Sequence, residues 1–220
     1  MMLQNGLYAI TAEELHPGRP LLEVMEETLQ GGAKMIQYRD KNGSKKQVIE
    51  NARALSALAK SYDVPFIMND HLDVALIIDA DGVHFGQDDV PLTEARKLLG
   101  PNKLIGISTH SLEEAVCAER DGADYIGVGP VFATATKKDA QQEIGLTLLR
   151  EIVEGVAIPT VAIGGINQQN ALSVIETGVT QVAVISDVLQ ATSVKQAAQT
   201  FQTLYDQGRK KCLKVATNGC

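Results

Sequence analysis

The sequence predicts a parallel (β/α)8 TIM barrel, because eight short apolar segments alternate with amphipathic segments at a spacing of roughly 25 residues. The first apolar segment leads into Thr11-Ala-Glu-Glu-Leu15 and not into a glycine-rich dinucleotide-binding turn. This disfavours the rival fold, an open doubly wound sheet. Since no break in composition divides the chain, we expect a single barrel domain over residues 1–208 and a basic, frayed tail over residues 209–220.

The first four units carry recognisable starts and stops. Gly31-Gly32 and Gly100-Pro101 end two of the helices, because neither glycine nor proline continues a helix well. Ser44 and Gln47 have the spacing of a capping box at the start of the second helix. The strands are predicted at Gly6–Ile10, Met35–Tyr38, Pro65–Asn69 and Gly82–Phe85. The helices that follow them are predicted to begin at Pro20, Ser44, His71 and Pro91.

The last four units repeat this pattern. Ser111 and Glu114 form a second capping box, and Asn167 is the predicted N-cap of the seventh helix. The strands are predicted at Leu104–Ser108, from Tyr125 to the Gly129-Pro130 pair, at Pro159–Ile163 and at Val182–Ile185. The helices are predicted from Ser111 to about Asp121, over the apolar face from Leu146 to Val153, from Asn167 to Gly178, and from Val194 to about Tyr205.

The composition favours a small-molecule partner. Lys plus Arg total 20 and Asp plus Glu total 27, and the formal charge of −7 argues against a nucleic-acid or anionic-membrane surface. Cys117, Cys212 and Cys220 form no Cys-x-x-Cys pair, so we expect neither a disulfide frame nor a zinc site, and a reducing cytoplasm fits. We also expect no signal peptide, and no apolar run approaches the roughly 20 residues that span a bilayer. A homo-oligomer is left open.

In this fold the polar residues that follow each strand converge on one mouth, where the chemistry takes place. Here they are amides, carboxylates, hydroxyls and cations, which suit a ligand rich in phosphate oxygens. They are Gln37, Arg39, Lys41, Asn69, Asp70, Gln87, Asp88, Asp89, Ser108, Thr134, Thr136, Lys137, Lys138, Gly164, Gly165 and Ser186. His84 also lies near the mouth, but its place within a strand predicts a packed or hydrogen-bonded residue and not an acid–base group.

Three groups within this set predict specific chemistry. The carboxylates of Asp70 and Asp89 follow neighbouring strands, where they suit Mg²⁺ shared with phosphate oxygens. Gly164-Gly165 and Ile185-Ser186 follow strands seven and eight, whose loops commonly bind phosphate through backbone N–H groups. The hydroxyls and ammonium groups of residues 134–138 suit a diphosphate. The alternatives are a tight turn at the glycines and a solvated surface loop at residues 134–138.

Six motifs stand in the order found in one enzyme family. They are Gln37-Tyr-Arg-Asp-Lys41, Asn69-Asp70, Gly82-Val-His-Phe-Gly-Gln-Asp-Asp89, Gly106-Ile-Ser-Thr-His110, Gly129-Pro-Val-Phe-Ala-Thr-Ala-Thr-Lys137 and Ala162-Ile-Gly-Gly-Ile166. With these motifs the chain resembles the thiamine-phosphate synthases over nearly its whole length. Any one motif alone would be a weak signal, and the glycine pair is shared by many phosphate-binding barrels.

The resemblance implies Mg²⁺-dependent coupling of 4-amino-2-methyl-5-(diphosphooxymethyl)pyrimidine with 4-methyl-5-(2-phosphooxyethyl)thiazole, or its carboxylated form. The products would be thiamine phosphate and diphosphate. By the same resemblance Arg39, Ser108 and Lys137 would be catalytic, and Asp70 and Asp89 would bind Mg²⁺. The pyrimidine diphosphate would contact Gln37, Arg39, Lys41, Asn69, Ser108 and Lys137. The thiazole phosphate would contact Thr134, Thr136, Gly165, Ile185 and Ser186.

Three residues depart from the family pattern. Tyr38 replaces a leucine-like residue and Ala133 a frequent proline, and both changes bear on loop stiffness. Asp187 replaces a small residue and brings negative charge close to the expected thiazole phosphate. Two other functions stay open: a thiazole tautomerase of the same superfamily, which needs no diphosphate site, and a non-catalytic sensor of phosphate ligands.

Overall fold

The computed structural model describes residues 3–12, 15–16, 18–134 and 142–218, with side chains described as far as residue 211. Within these residues eight strands pair in parallel in sequence order, and the last pairs with the first. The predicted (β/α)8 barrel is thereby confirmed. The strands are β1 Gly6–Ile10, β2 Met35–Tyr38, β3 Phe66–Asn69, β4 Gly82–Phe85, β5 Leu104–Thr109, β6 Tyr125–Val128, β7 Thr160–Ile163 and β8 Gln181–Val184.

Helices follow the strands and pack around the barrel. Over the same described ranges they are α1 Leu21–Gln30, α2 Lys45–Ser61, α3 Leu72–Ile78, α4 Leu92–Leu99, α5 Leu112–Arg120, α6 Gly145–Gly155, α7 Ala171–Ile175, α8 Ser186–Leu189 and α9 Val194–Asn218. The four-residue α8, which follows β8 closely, was not predicted from the sequence. The other helices lie where the apolar periodicity placed them, apart from differences at their ends.

Successive side chains of a barrel strand point to opposite sides, and the two sides form separate apolar cores. The larger core lies between the strands and the helices and includes Phe66, Phe85 and Phe201. The smaller core fills the barrel interior, where Tyr8 and Tyr125 are among its largest buried side chains. The polar residues that follow the strands therefore lie next to a packed barrel interior, which supports them.

The serine half of each predicted capping box is present. Ser44 Oγ accepts the N–H of Gln47 at 3.3 Å, and Ser111 Oγ accepts the N–H of Glu114 at 3.1 Å. The second half differs, because the Glu114 carboxylate accepts the N–H of His110, one residue before the cap. Both helices thus begin at the residue that the sequence predicted.

The predicted N-cap role of Asn167 is wrong. Its Oδ1 accepts the N–H groups of Gln169 and Asn170 at 2.9 and 3.2 Å, which closes a turn ahead of the helix. Helix α7 begins only at Ala171, so the asparagine side chain is used before the helix starts.

Helix α9 is longer than predicted. It continues beyond Tyr205 to Asn218, through the stretch predicted as a frayed tail, while the domain boundary at residue 208 stays a prediction. Arg209 donates to the carbonyl of Gly178 at 3.5 Å and Lys211 pairs with Glu176 at 2.9 Å, so basic residues tie this part of the helix to the end of α7. Across the part of the chain that the structure describes, none of the helices has the length and apolarity needed to cross a bilayer.

Candidate active site

A cavity of about 840 Å³ lies at the C-terminal ends of the strands. The structure brings together there the residues that were predicted for both substrates and for the metal, as far as they are described. Those lining it are Gln37, Arg39, Lys41, Asn69, Asp70, Asp89, Ser108, Thr134, Gly165, Ile185 and Ser186. Thr136, Lys137 and Lys138 lie outside the described residues.

Two carboxylates face each other at one side of this cavity. Burial raises the pKa of Asp70, and so does the negative charge of Asp89, with which it shares a hydrogen bond. Lys41 Nζ lies 3.8 Å from Asp70 Oδ2 and acts in the opposite sense. Asp89 is held in place by the Gly86 N–H, 2.7 Å from its Oδ2. The pair is a partly buried concentration of negative charge that a cation would relieve.

The backbone directs Asp70 into the mouth. Its φ of 57° lies in the left-handed region, which aspartate tolerates better than most residues. The peptide is fixed on both sides, since the Asp70 N–H donates to the carbonyl of His84 and its own carbonyl accepts the N–H of Leu72. The turn therefore holds the carboxylate at the end of β3.

The loop after β2 carries two cations into the cavity. Arg39 is anchored by its backbone, which exchanges two hydrogen bonds with the Thr11 hydroxyl at 2.9 and 3.1 Å. Asp40 shapes the next turn by accepting the N–H groups of Asn42 and Gly43 at 2.9 and 2.8 Å. The guanidinium of Arg39 has no carboxylate partner among the described residues, so its charge is available to an anion.

Burial alone would raise the pKa of the Asp40 carboxyl, but three donors outweigh it. The N–H groups of Asn42 and Gly43 and the hydroxyl of Tyr38 hold that pKa below its usual range. Tyr38, one of the departures from the family pattern, thus contributes a hydrogen bond that a leucine has no means of making. The Asp40 carboxylate therefore keeps its negative charge, and the hydrogen bonds that it accepts hold the turn in place.

A chain of polar side chains crosses the floor of the cavity. Gln37 Nε2 lies 2.6 Å from the Tyr8 hydroxyl, which lies 3.1 Å from the Tyr125 hydroxyl. His84 continues the chain, with Nδ1 3.1 Å from Tyr125 and Nε2 2.9 Å from Ser108 Oγ. The prediction that His84 is hydrogen-bonded within the barrel is confirmed. The sequence did not predict that Tyr8 and Tyr125 belong to this chain, because both tyrosines lie within apolar strands.

Two glycine positions make room for this chain. A Cβ on Gly106 would lie 2.1 Å from Cζ of Tyr125 and 2.5 Å from Nδ1 of His84. A Cβ on Gly127 would lie 3.1 Å from Cε1 of His84. Glycine within a strand often marks the close approach of another group, and this was the signal in the sequence that could have revealed the rings.

The glycine pair after β7 lies against the loop after β6. Gly164 and Gly165 have φ values of 98° and 63°, and a Cβ on Gly165 would lie 2.6 Å from the Ala133 carbonyl oxygen. The Phe132 N–H donates to the Gly164 carbonyl at 3.1 Å. The close approach joins two of the three loops that were predicted to bind the thiazole phosphate, and Thr134 lines the cavity beside them.

The other two departures are accommodated within the same loops. Asp187 Oδ2 accepts the N–H of Gln168 at 3.0 Å, so its carboxylate braces the loop after β7. The Ala133 N–H, which a proline would lack, donates to Glu143 at 2.8 Å. Each departure therefore adds a contact between loop segments around the mouth.

Asp70 and Asp89 are residues of the cavity that could together hold a metal ion. Among the described residues there is no cluster of three or more histidine, cysteine, aspartate or glutamate side chains that could enclose a metal ion. Two carboxylates facing each other fit instead the way Mg²⁺ is usually bound, through one or two carboxylates together with substrate phosphates.

Comparisons with known proteins agree with one another. The family model described as thiamine monophosphate synthase matches residues 7–188. A thiamine-phosphate synthase of Shouchella clausii is 58% identical over 195 residues, covering 89% of this chain and 93% of the relative. One of Halalkalibacterium halodurans is 52% identical over 201 residues, covering 91% and 95%. Among solved structures, a thiamine phosphate pyrophosphorylase from Pyrococcus furiosus is 44% identical with a TM-score of 0.85, covering 94% of this chain and 96% of that one.

Proposed function

The chain belongs to the thiamine monophosphate synthase family, and from this premise we propose that it is a transferase that forms thiamine phosphate. Its substrates would be 4-amino-2-methyl-5-(diphosphooxymethyl)pyrimidine and 4-methyl-5-(2-phosphooxyethyl)thiazole or its carboxylated form. The observation that carries the proposal is the meeting of Asp70 and Asp89, the cations Arg39 and Lys41, and the glycine loop after β7 around one cavity. A diphosphate and a monophosphate thus have separate places in it.

The pyrimidine diphosphate is assigned to the side of the cavity formed by the loops after β2 to β5. Arg39 and Lys41 supply positive charge for the diphosphate, and Asn69 supplies an amide at the end of β3. Gln37 and Ser108 offer hydrogen bonds to the pyrimidine ring from the floor. From the family motif we add Lys137 as a second catalytic cation beside Arg39, with Ser108 as the third catalytic residue.

We assign Mg²⁺ to Asp70 and Asp89. The raised pKa of Asp70 supports this. Two carboxylates held close together repel each other when both are ionised, and a bound cation relieves that repulsion. When bound, the ion would supply positive charge to the oxygens of the diphosphate as it leaves.

The thiazole phosphate is assigned to the opposite side, where the loops after β6, β7 and β8 meet. Positive φ angles and missing Cβ atoms at the glycine pair let a phosphate approach the backbone N–H groups closely. The residues proposed for this phosphate are Thr134, Thr136, Gly165, Ile185 and Ser186.

The chemistry requires stabilisation of a leaving group more than it requires a base. The bond between the pyrimidine methylene carbon and the diphosphate oxygen breaks, and its electron pair departs with the diphosphate. The electron-rich aminopyrimidine stabilises the resulting cation, and the lone pair of the thiazole nitrogen then forms the new carbon–nitrogen bond. A carboxylated thiazole would in addition lose its carboxylate as CO₂. Arg39 and Lys137 lower the barrier by meeting the charge that develops on the diphosphate, and the second phosphate site positions the nucleophile.

The partners that we propose are these two phosphorylated small molecules, and the reaction is assigned to a reducing cytoplasm. The charge of −7 and the cysteine spacing support these assignments. They require no nucleic acid and no membrane, and they are compatible with a homo-oligomer.

A coupled assay tests the proposed function. Purified protein with Mg²⁺ and both substrates is expected to release diphosphate and form thiamine phosphate in equal amounts. Replacement of one stabilising group in such a site typically lowers kcat by about 10²–10³, and we expect losses of this size for Asp70→Ala and Lys137→Ala. The matched control is Asp73→Ala, whose carboxylate pairs with Lys45 outside the cavity.

Circular dichroism would show whether each variant keeps its fold. Isomerisation of the thiazole without diphosphate release would favour a tautomerase, and binding of both phosphorylated ligands without turnover would favour a sensor. Either result would overturn the proposed function.

A further inference from the structure

We propose that the hydrogen-bonded chain Gln37–Tyr8–Tyr125–His84–Ser108 fixes which hydrogen-bonding groups the cavity floor presents to the pyrimidine ring. This inference rests on the proposed function and concerns how that site selects its ring. Tyr8, Tyr125 and His84 are positioning residues in it, since they act through Gln37 and Ser108.

The chain is a built feature of the barrel interior. Its members come from β2, β1, β6, β4 and β5, and Tyr8 and Tyr125 are 1% and 0% exposed. The Tyr8 and Tyr125 rings meet edge to face with centroids 6.3 Å apart, and the His84 ring lies 5.5 Å from Tyr125. Burial keeps both phenols protonated by raising their pKa values. Each hydroxyl therefore has one hydrogen to donate.

The order of donors follows from the chemistry of the end groups. The amide nitrogen of Gln37 only donates, so the Tyr8 oxygen accepts. Tyr125 is the other hydrogen-bond partner of the Tyr8 hydroxyl among the described residues, and we infer that the Tyr8 hydrogen is directed to it. Tyr125 then donates to Nδ1 of His84, which must carry no hydrogen there. A neutral imidazole in this state carries its hydrogen on Nε2 and donates to Ser108 Oγ. Every bond in the chain points from Gln37 towards Ser108.

This direction sets the two ends of the chain. With its nitrogen held by Tyr8, the Gln37 amide turns its oxygen, an acceptor, away from that hydroxyl. Ser108 accepts from His84 and has its own hydrogen left to donate into the cavity. A 4-aminopyrimidine offers an amino donor and ring-nitrogen acceptors, which complement such a floor. This match places the amino group against the Gln37 oxygen and the neighbouring ring nitrogen against the Ser108 hydroxyl. A 4-oxopyrimidine presents a carbonyl acceptor and a ring N–H in the reverse order, so that acceptor would face acceptor and donor would face donor.

The test is a comparison of two substrates that differ at this position. The ratio of kcat/KM for the 4-amino and 4-oxo forms of the pyrimidine diphosphate would be measured for the wild type, Tyr8→Phe and Tyr125→Phe. Each variant keeps the ring and removes one hydroxyl, which frees the Gln37 amide or the His84 imidazole to turn. We expect the preference for the amino form to fall by roughly 3- to 10-fold in each, the worth of one hydrogen bond.

Tyr205→Phe is the matched control. This tyrosine is equally buried, but its hydroxyl donates to the carbonyls of Val179 and Thr180, at the opposite end of the barrel from the cavity. We expect it to lose stability while keeping the wild-type preference. General damage to the fold would lower both kcat/KM values together and leave the ratio unchanged.

The outcomes separate the two proposals. If the wild type couples the 4-amino substrate and both floor variants keep its preference, the proposed role of the chain is overturned and the proposed function stands. If the wild type fails to couple it, the proposed function is overturned and this inference with it. Should Tyr125→Phe fail to fold, Tyr8→Phe still decides the question, because it breaks the same chain one link earlier.

Discussion

The Tyr38 hydroxyl donates to Oδ2 of Asp40 at 3.1 Å, and Nδ2 of Asn51 on α2 donates to the same hydroxyl at 3.1 Å. The buried last residue of β2 thereby connects helix α2 to the turn that carries Arg39 and Lys41. Because the proposed diphosphate site depends on where these two cations lie, a residue outside the cavity contributes to its geometry.

We expect Tyr38→Phe to raise KM for the pyrimidine diphosphate several-fold. The ring stays buried, but the turn loses a hydrogen bond worth about 1 kcal/mol. Urea unfolding would measure the stability loss, and steady-state kinetics would measure KM for each substrate. Tyr62→Phe is the control, since its hydroxyl makes an exposed contact with Glu26. An equal rise in KM for the thiazole phosphate would contradict a local effect on the cations.

Asp89→Asn is expected to weaken Mg²⁺ binding and at the same time to stabilise the metal-free protein. Asparagine keeps an oxygen for the Gly86 N–H but removes the negative charge that helps to raise the pKa of Asp70. At pH 7 the repulsion between the two carboxylates opposes folding. Removal of the Asp89 charge would therefore raise the free energy of unfolding by up to about 1 kcal/mol.

Urea unfolding in a chelator would check this, and titration of activity with Mg²⁺ would show a higher half-saturating concentration. The gain in stability should shrink when the pH falls below the pKa of Asp70, because protonation of Asp70 then already removes the repulsion in the wild type. A variant less stable than the wild type at pH 7 would show that repulsion between the two carboxylates is not the dominant effect.

The demand for Mg²⁺ is expected to rise as the pH falls. Protons compete with the metal for Asp70, and its raised pKa moves this competition to a higher pH than the usual aspartate pKa of 3.8 would give. The half-saturating Mg²⁺ concentration, measured from pH 8 down to about pH 4, should therefore increase towards the acidic end. In Asp89→Asn the increase should begin at a lower pH. A wild-type value independent of pH over this range would refute the assignment of Asp70.

Gly165→Ala is expected to weaken thiazole phosphate binding and to cost more stability than a positive φ alone. The methyl group would lie 2.6 Å from the Ala133 carbonyl oxygen and push the loop after β6 away from its neighbour. Gly100→Ala isolates the backbone term, because Gly100 has a φ of 76° and no atom within 4 Å of an added Cβ. With a ψ of −177° Gly100 lies in a region essentially confined to glycine, so that control should lose about 1–3 kcal/mol and keep its KM values. Equal losses in the two variants would argue against the crowding.

The order of strands and the gathering of the mouth could be predicted because they depend on local patterns. Apolar runs ending at turn residues marked β2 and β4, and the closed parallel order then brings the residues that follow all eight strands to one end. The residues that line the cavity could be predicted without knowledge of individual contacts, because active sites of this fold lie at the C-terminal ends of the strands.

What escaped prediction depends on contacts between distant segments. The helical course of α9 beyond Tyr205 is supported by Arg209 and Lys211 reaching α7, which no periodicity reveals. The meeting of Tyr8 with Tyr125 joins residues 117 positions apart, and only the register of the closed barrel decides that these two rings face each other. The local sequences of β1 and β6 indicate only that these strands are buried.

The pairing of β1 with β8 closes the barrel with the first and last strands of the chain, which are synthesised at different times. During translation β1 leaves the ribosome long before β8, so its free edge has no partner until the segment ending at Val184 emerges. Until then the nascent chain bears two unsatisfied sheet edges, which are sites for association with other chains. Interrupting synthesis before this point would yield fragments prone to aggregate and not partly active enzymes.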